Sequence, residues 1–256
     1  MLKKFYFISL FLACLSLLVS ACTPQQKKAP DFSAISSISE RKQTFVDYML
    51  PFITEAQKAV LSQRHELLVM QSRLNGGAQL TEFQKRTLRT LASEYQTNQE
   101  KKTLNQTSEI ELIDQLLVKV NTIPTSLVLA QAALESGWGT SRFAREGNNY
   151  FGQHCFVQGC GMVARERAPG TIDEVQVFKS PKDSVMAYFD MLNGAPAFEG
   201  FRQTRAEMVK NGQPFDANTL VMHLGDYSQL EGNQYANRII STMKYNDFYQ
   251  YDKTSS

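Results

Sequence analysis

The chain has 256 residues, 43% of them hydrophobic and 20% charged. That balance supports one or two folded domains and excludes a disordered or collagen-like polymer. Lys and Arg number 27 against 25 Asp and Glu. The excess is Lys3 and Lys4, so the chain beyond residue 21 is electrically balanced, which excludes a nucleic-acid partner held by clustered positive charge.

Met1-Leu-Lys-Lys followed by an uncharged run from Phe5 to Val19 reads as a secretory signal over residues 1–21, too short for a comfortable membrane span. Val19-Ser20-Ala21-Cys22 resembles a bacterial lipobox. The resemblance implies cleavage before Cys22, lipidation of that residue and membrane attachment. Thr23 follows where Asp would imply retention in the inner membrane, so the implied location is the cell envelope, on the outer membrane facing the periplasm. An ordinary cleaved signal and an uncleaved anchor are the alternatives. Residues 22–39, with two prolines and a Ser-rich end, read as a linker.

A helical extension is expected over 40–119. Its first helix runs from Glu40 to about Leu74, interrupted at Pro51 and ended by Asn75-Gly76-Gly77. A second helix is expected from about Thr81 to Gln96. Ser108-Glu-Ile-Glu111 is a capping-box signature that opens a third, with Ile110, Ile113, Leu117 and Val120 at helical spacing. The next helix starts at Pro124 and stops at Gly137; beyond Ser126 only Gln131 and Glu135 are polar before the end, so it should be buried. Between His154 and Phe178 a turn at Ala168-Pro-Gly170 separates two β-like stretches, an expected hairpin. Ser180-Pro-Lys-Asp183 opens another helix with Val185, Tyr188, Phe189 and Leu192 inward, and the last helix covers about Asn233 to Tyr245. The predicted class is α+β: mostly helical, one small β hairpin, preceded by N-terminal helices.

Cys155 and Cys160 bracket Phe-Val-Gln-Gly. In an oxidising compartment such a pair is expected as a disulfide closing a short loop. Free thiols are one alternative. A metal recruiting His154 is another, but no fourth ligand lies at a sensible spacing and no metal is expected.

Glu135 stands out on physical grounds. It lies at the C-terminal end of an apolar helix, where the helix dipole and burial both disfavour a negative charge and raise its pKa. A carboxylic acid kept protonated near neutral pH is what general-acid catalysis at a glycosidic oxygen requires. Gln131, one turn earlier on the same face, could orient it, and Trp138 could offer an aromatic face to a sugar. The bland alternative is an ion pair between Glu135 and Arg142 or Arg145.

Ala130-Gln-Ala-Ala-Leu-Glu-Ser-Gly-Trp-Gly139 followed by Asn149-Tyr-Phe-Gly152 strongly resembles the glucosaminidase domain of family 73 glycoside hydrolases. Val177-Phe-Lys-Ser180 through Ser184 and Tyr188, and Tyr235-Ala-Asn-Arg-Ile-Ile-Ser241, match in order. The N-terminal helices and the Cys155–Cys160 loop are similar to the Bax-like branch. The resemblance covers residues 120–250. It implies a lysozyme-like fold and cleavage of β-1,4 bonds after N-acetylglucosamine in peptidoglycan glycan strands. It puts the acid on Glu135 and substrate contacts on Trp138, Asn149, Phe151 and Tyr235. The family's second carboxylate lies on the hairpin, which here offers Glu166, Asp173 and Glu174. The reading places Glu174 first and Glu166 second, with three solvated charges as the alternative. Phe178 stands where the family usually has Tyr, a departure expected to remove one hydroxyl from the rim.

No cofactor is expected, since acetal hydrolysis needs an acid, a base and water. A lytic transglycosylase is the close rival, although the Gly-Leu-Met-Gln run of those enzymes is absent. A non-catalytic envelope lipoprotein that grips or scaffolds glycan is the rival of another class.

Overall fold

The computed structural model describes residues 29–95, 108–165, 170, 172–227 and 232–252. The export signal, Cys22 and Glu166 lie outside the described residues. Contacts divide the chain after Pro30, and the described helices and strands all belong to the unit from Asp31 onward. The α+β class is as expected, with helices α1 to α9 and a small antiparallel sheet.

Helix α1 (Ile38–Asn75) is capped by Ser37, whose hydroxyl accepts from the Glu40 amide. Phe45, Met49, Ile53, Ala56 and Val60 form its buried stripe. The expected interruption at Pro51 is not observed: one helix runs through it. Proline removes the bond to the carbonyl four residues back, which here is that of Asp47. Both residues sit on the exposed face, where water can serve that carbonyl while the opposite face packs. Helix α1 lies against α3, α4 and α6. The helices read as an extension therefore share one core with the rest of the unit.

Helix α2 covers Glu82–Tyr95 and α3 Glu109–Lys119, the latter with the expected reciprocal capping box between Ser108 and Glu111. Helix α4 (Thr125–Ser136) is the centre of the fold, with every residue from Thr125 to Ala133 buried. Pro124 sits just before its first turn and brings no side-chain cap. Asp252 supplies one from the far end of the chain, accepting from the Ser126 amide at 2.8 Å and hydroxyl at 2.6 Å. The α3–α4 connection is held by arginines that collect its carbonyls. Arg205, fully buried on α7 (Glu199–Lys210), donates to Val118, Lys119, Asn121 and Thr122. Arg64 donates to Leu117 and Val120. A helix C-terminus leaves such carbonyls unpaired and favours cations.

After α5 (Arg142–Gly147) the chain forms β1 (His154–Cys155), β2 (Gly161–Met162) and β3 (Glu174–Gln176), in the order β1-β3-β2. The expected hairpin is thus one half of a three-stranded sheet. Strand β1, two residues long, is too short to show alternation in a sequence. Gly161 is required where β2 meets β3, since a Cβ there would lie 2.1 Å from the Val175 carbonyl oxygen. Helix α6 (Pro181–Gly194) is capped by Ser180 and turns Val185, Tyr188, Phe189 and Leu192 inward as expected. Helices α8 (Ala217–Val221) and α9 (Gln234–Tyr245) complete the set.

Candidate active site

Helix α4 ends in three consecutive residues of left-handed backbone, Gly137, Trp138 and Gly139. That geometry suits glycine and is strained for tryptophan. The turn is held by the Ser136 hydroxyl, which accepts from the Gly139 amide at 2.9 Å. It is held also by the Trp138 ring, which packs on Phe45 and Phe248 under the Lys42 ammonium, 4.7 Å from its centroid. Trp138, expected as a sugar platform, here pegs the end of α4 to α1 and the C-terminal segment.

Glu135 projects half-buried from this last turn. Its Oε1 accepts a 2.8 Å hydrogen bond from the Tyr235 hydroxyl of α9. Gln131 does not reach Glu135 directly. Its Nε2 donates to the Tyr235 oxygen at 2.9 Å, while its Oε1 accepts from the Tyr188 hydroxyl of α6. The four residues form one directed relay from Tyr188 through Gln131 and Tyr235 to Glu135. Burial raises the pKa of Glu135; the Tyr235 bond and the Arg238 charge oppose that without cancelling it. Among the described residues no ion pair joins Glu135 to Arg142 or Arg145, and Arg142 donates instead to the Val163 carbonyl.

The Asn149-Tyr-Phe-Gly152 segment approaches Glu135 at Gly152. An amide side chain has two donors and two acceptor sites, and Asn149 uses all four on backbone. It donates to the Gln153 and Gln176 carbonyls and accepts from the Phe151 and Gln153 amides. Expected to bind substrate, Asn149 is instead the strut that ties this segment to β3. Phe151, also expected at the substrate, is buried and stacks on Tyr188 at 4.2 Å. Its carbonyl accepts from Tyr227, whose ring lies parallel to that of Tyr235 at 5.8 Å. Gly152 has φ +65°, and a Cβ there would sit 3.5 Å from Glu135 Oε2. Tyr235, expected to carry a sugar ring, is 5% exposed with its hydroxyl on the acid.

The hairpin carboxylates part company. Glu174 is buried, and its two oxygens accept from the amides of Gly159 (3.0 Å) and Gly161 (2.8 Å). Glu174, expected first as the second catalytic carboxylate, thus anchors the loop closed by the Cys155–Cys160 disulfide. With both sulfurs bonded to each other, the thiolates that a metal would need are spent. Asp173 pairs with His154 at 3.0 Å. Glu166 is outside the described residues. Phe178, expected at the rim, is buried beside α5, its amide donating to Gly147 and its carbonyl accepting from Asn148. The role of Tyr188 was missed by sequence reasoning, which placed it only in the core. A buried phenol must find a partner, but nothing local shows which.

A family model described as glucosaminidase, mannosyl-glycoprotein endo-beta-N-acetylglucosaminidase, matches residues 111–248. The chain belongs to the glucosaminidase family. The matched span includes the whole relay. Protein bax of Escherichia coli (strain K12) is 34% identical over 212 residues, covering 83% of this chain and 72% of that one. A solved structure to which the chain is similar is the catalytic domain of the autolysin Auto from Listeria monocytogenes. It shares 18% identity over 86% of this chain and 92% of that chain, with a TM-score of 0.43. Membership supports a glycosidase, and the Bax-like resemblance of the sequence stands.

Proposed function

We propose that this member of the glucosaminidase family is an endo-β-N-acetylglucosaminidase that hydrolyses the β-1,4 bond after N-acetylglucosamine in peptidoglycan. Glu135 is the general acid. The observation that carries the reading is a half-buried carboxyl whose pKa is raised by burial, clamped at one oxygen by Tyr235 and turned to Gly152 at the other. An acid so placed gives its proton to the departing sugar oxygen.

The second carboxylate is assigned to Glu166 in place of Glu174. Both Glu174 oxygens are engaged by loop amides and Asp173 faces His154, whereas Glu166 precedes the turn as the family's residue tends to. Its role is to activate water on the far side of the sugar. Lipidation at Cys22 would hold the enzyme in the envelope, on the outer membrane facing the periplasm, with the wall within reach.

The test is release of reducing ends from purified peptidoglycan. Wild-type protein should release them and the Glu135→Gln variant should not; retained release in that variant ends the reading. Mass spectrometry of the released muropeptides decides the chemistry. Reducing N-acetylglucosamine ends support hydrolysis, and anhydro ends would replace it with a transglycosylase.

A further inference from the structure

Tyr188 is fully buried, and among the described residues its hydroxyl has one hydrogen-bond partner, Gln131 Oε1. A phenolic proton in such a place needs an acceptor. Gln131 must therefore turn its oxygen toward α6, which leaves its Nε2 protons for α9. They fill the acceptor side of the Tyr235 oxygen at 2.9 Å. Tyr235 can then only donate, and it donates to Glu135 Oε1 at 2.8 Å. An oxygen that accepts this bond along the phenol's axis is a poor place for the carboxyl proton. The other oxygen, Oε2, faces Gly152, which has no side chain to cover it.

We propose that Tyr188, acting through Gln131 and Tyr235, is a positioning residue that confines the transferable proton of Glu135 to Oε2, the oxygen turned to Gly152. This rests on Glu135 being the acid. Turning the Gln131 amide over would reverse every link: Glu135 Oε1 would donate to Tyr235, Tyr235 to Gln131, and the buried Tyr188 proton would have no acceptor. Tyr188 thereby sets the direction of a relay that it enters three links from the reaction. In the step itself the O–H bond at Oε2 breaks and its proton goes to the glycosidic oxygen. That oxygen leaves with the electron pair of the broken C–O bond, and Glu135 is left as a carboxylate. Tyr235 already points its proton at Oε1, so the charge that forms meets a donor in place.

Among the described residues, the groups that face Glu135 are Gln131 from its own helix, Tyr235 and Arg238 from α9, Tyr188 from α6 and Tyr227 from the turn after α8. Arg238 is the charged one among them, and none of the relay variants alters it. Tyr188→Phe keeps the ring stacked on Phe151 and removes only the hydroxyl. Gln131 is then free to take either orientation, and the proton divides between two oxygens. At the pH optimum kcat on soluble glycan fragments should fall about twofold or more, since only part of the population is competent. The alkaline limb of the kcat–pH profile should move to higher pH, because the carboxylate loses part of its donor, and KM should hold. Tyr235→Phe should move the same limb further in the same direction. Gln131→Met cuts the relay in the middle and serves if Tyr188→Phe does not fold. The protonated-carboxyl infrared band of Glu135, identified by its loss in Glu135→Gln, should titrate at higher pH in both relay variants. A folded Tyr188→Phe or Gln131→Met protein with the wild-type profile and band overturns the proposal. Full activity in Glu135→Gln would overturn the acid assignment instead, and so the two failures are distinguishable.

Discussion

Two glutamates, half-buried Glu135 at the end of α4 and buried Glu174 in β3, have opposite surroundings. Glu135 accepts one hydrogen bond from a side chain, and its second oxygen is turned to Gly152. Glu174 has both oxygens taken by backbone amides of a disulfide-closed loop. The cause lies in the elements that carry them. Helices satisfy their own backbone groups, so polar groups at the α4 site must pair through side chains drawn from α4, α6 and α9. Strands of two or three residues leave loop amides unpaired, and a buried carboxylate is a compact way to satisfy two of them. The same residue type is thus available for chemistry in one place and occupied by architecture in the other.

The sharpest break between the two is functional. Glu135→Gln should lower turnover on peptidoglycan about 10²- to 10⁴-fold while circular dichroism and melting remain those of a folded protein. The sheet should respond to a change that leaves the acid untouched. In Gly161→Ala the added Cβ meets the Val175 carbonyl oxygen at 2.1 Å, so β2 and β3 must separate, at about 3 kcal/mol in urea unfolding. Glu174→Gln replaces one acceptor by an amide NH₂ that faces another donor. It should lose about 2 kcal/mol of stability yet keep most of its activity per folded molecule, in contrast to Glu166→Gln, whose loss should fall on turnover. Reducing Cys155–Cys160, or replacing both by Ser, should cost about 2 kcal/mol or less for so short a loop. Combined with Glu174→Gln its effect should be less than additive, since both restrain one loop.

The smallest effect concerns pH. Burial raises the pKa of Glu135, so the native state holds its proton more tightly than the unfolded chain does. The stability linked to that proton is complete below the unfolded value and is lost as pH rises through the raised native value. Glu135→Gln has no such titration. Relative to wild type, the variant should gain in melting temperature between acidic and neutral buffer; equal melting curves at every pH would show that the carboxyl is not perturbed.

How much could be read in advance depends on distance along the chain. The capping box at Ser108, the N-cap at Ser180 and the apolar run of α4 are local patterns, and the helices they announce are present. Pro51 misled because its effect depends on which face of α1 it occupies. The substrate roles expected of Asn149, Phe151 and Trp138 rest on the family resemblance, and their packing is not legible in the sequence. Their side chains meet backbone and aromatic partners that lie well away in the chain.

By itself the order of residues determined the helical class and the family and singled out Glu135 as the candidate acid, because apolar periodicity, caps and a helix-terminal glutamate act within a few turns of one chain segment. Only the tertiary structure decided which way the proton relay runs and which hairpin carboxylate is committed to the loop. Gln131 meets Tyr188 and Tyr235 across 57 and 104 residues, and Glu174 meets its amides across an intervening loop. Hydrogen bonds choose partners by direction and distance in space, and those are set only when α4, α6, α9 and the sheet have packed.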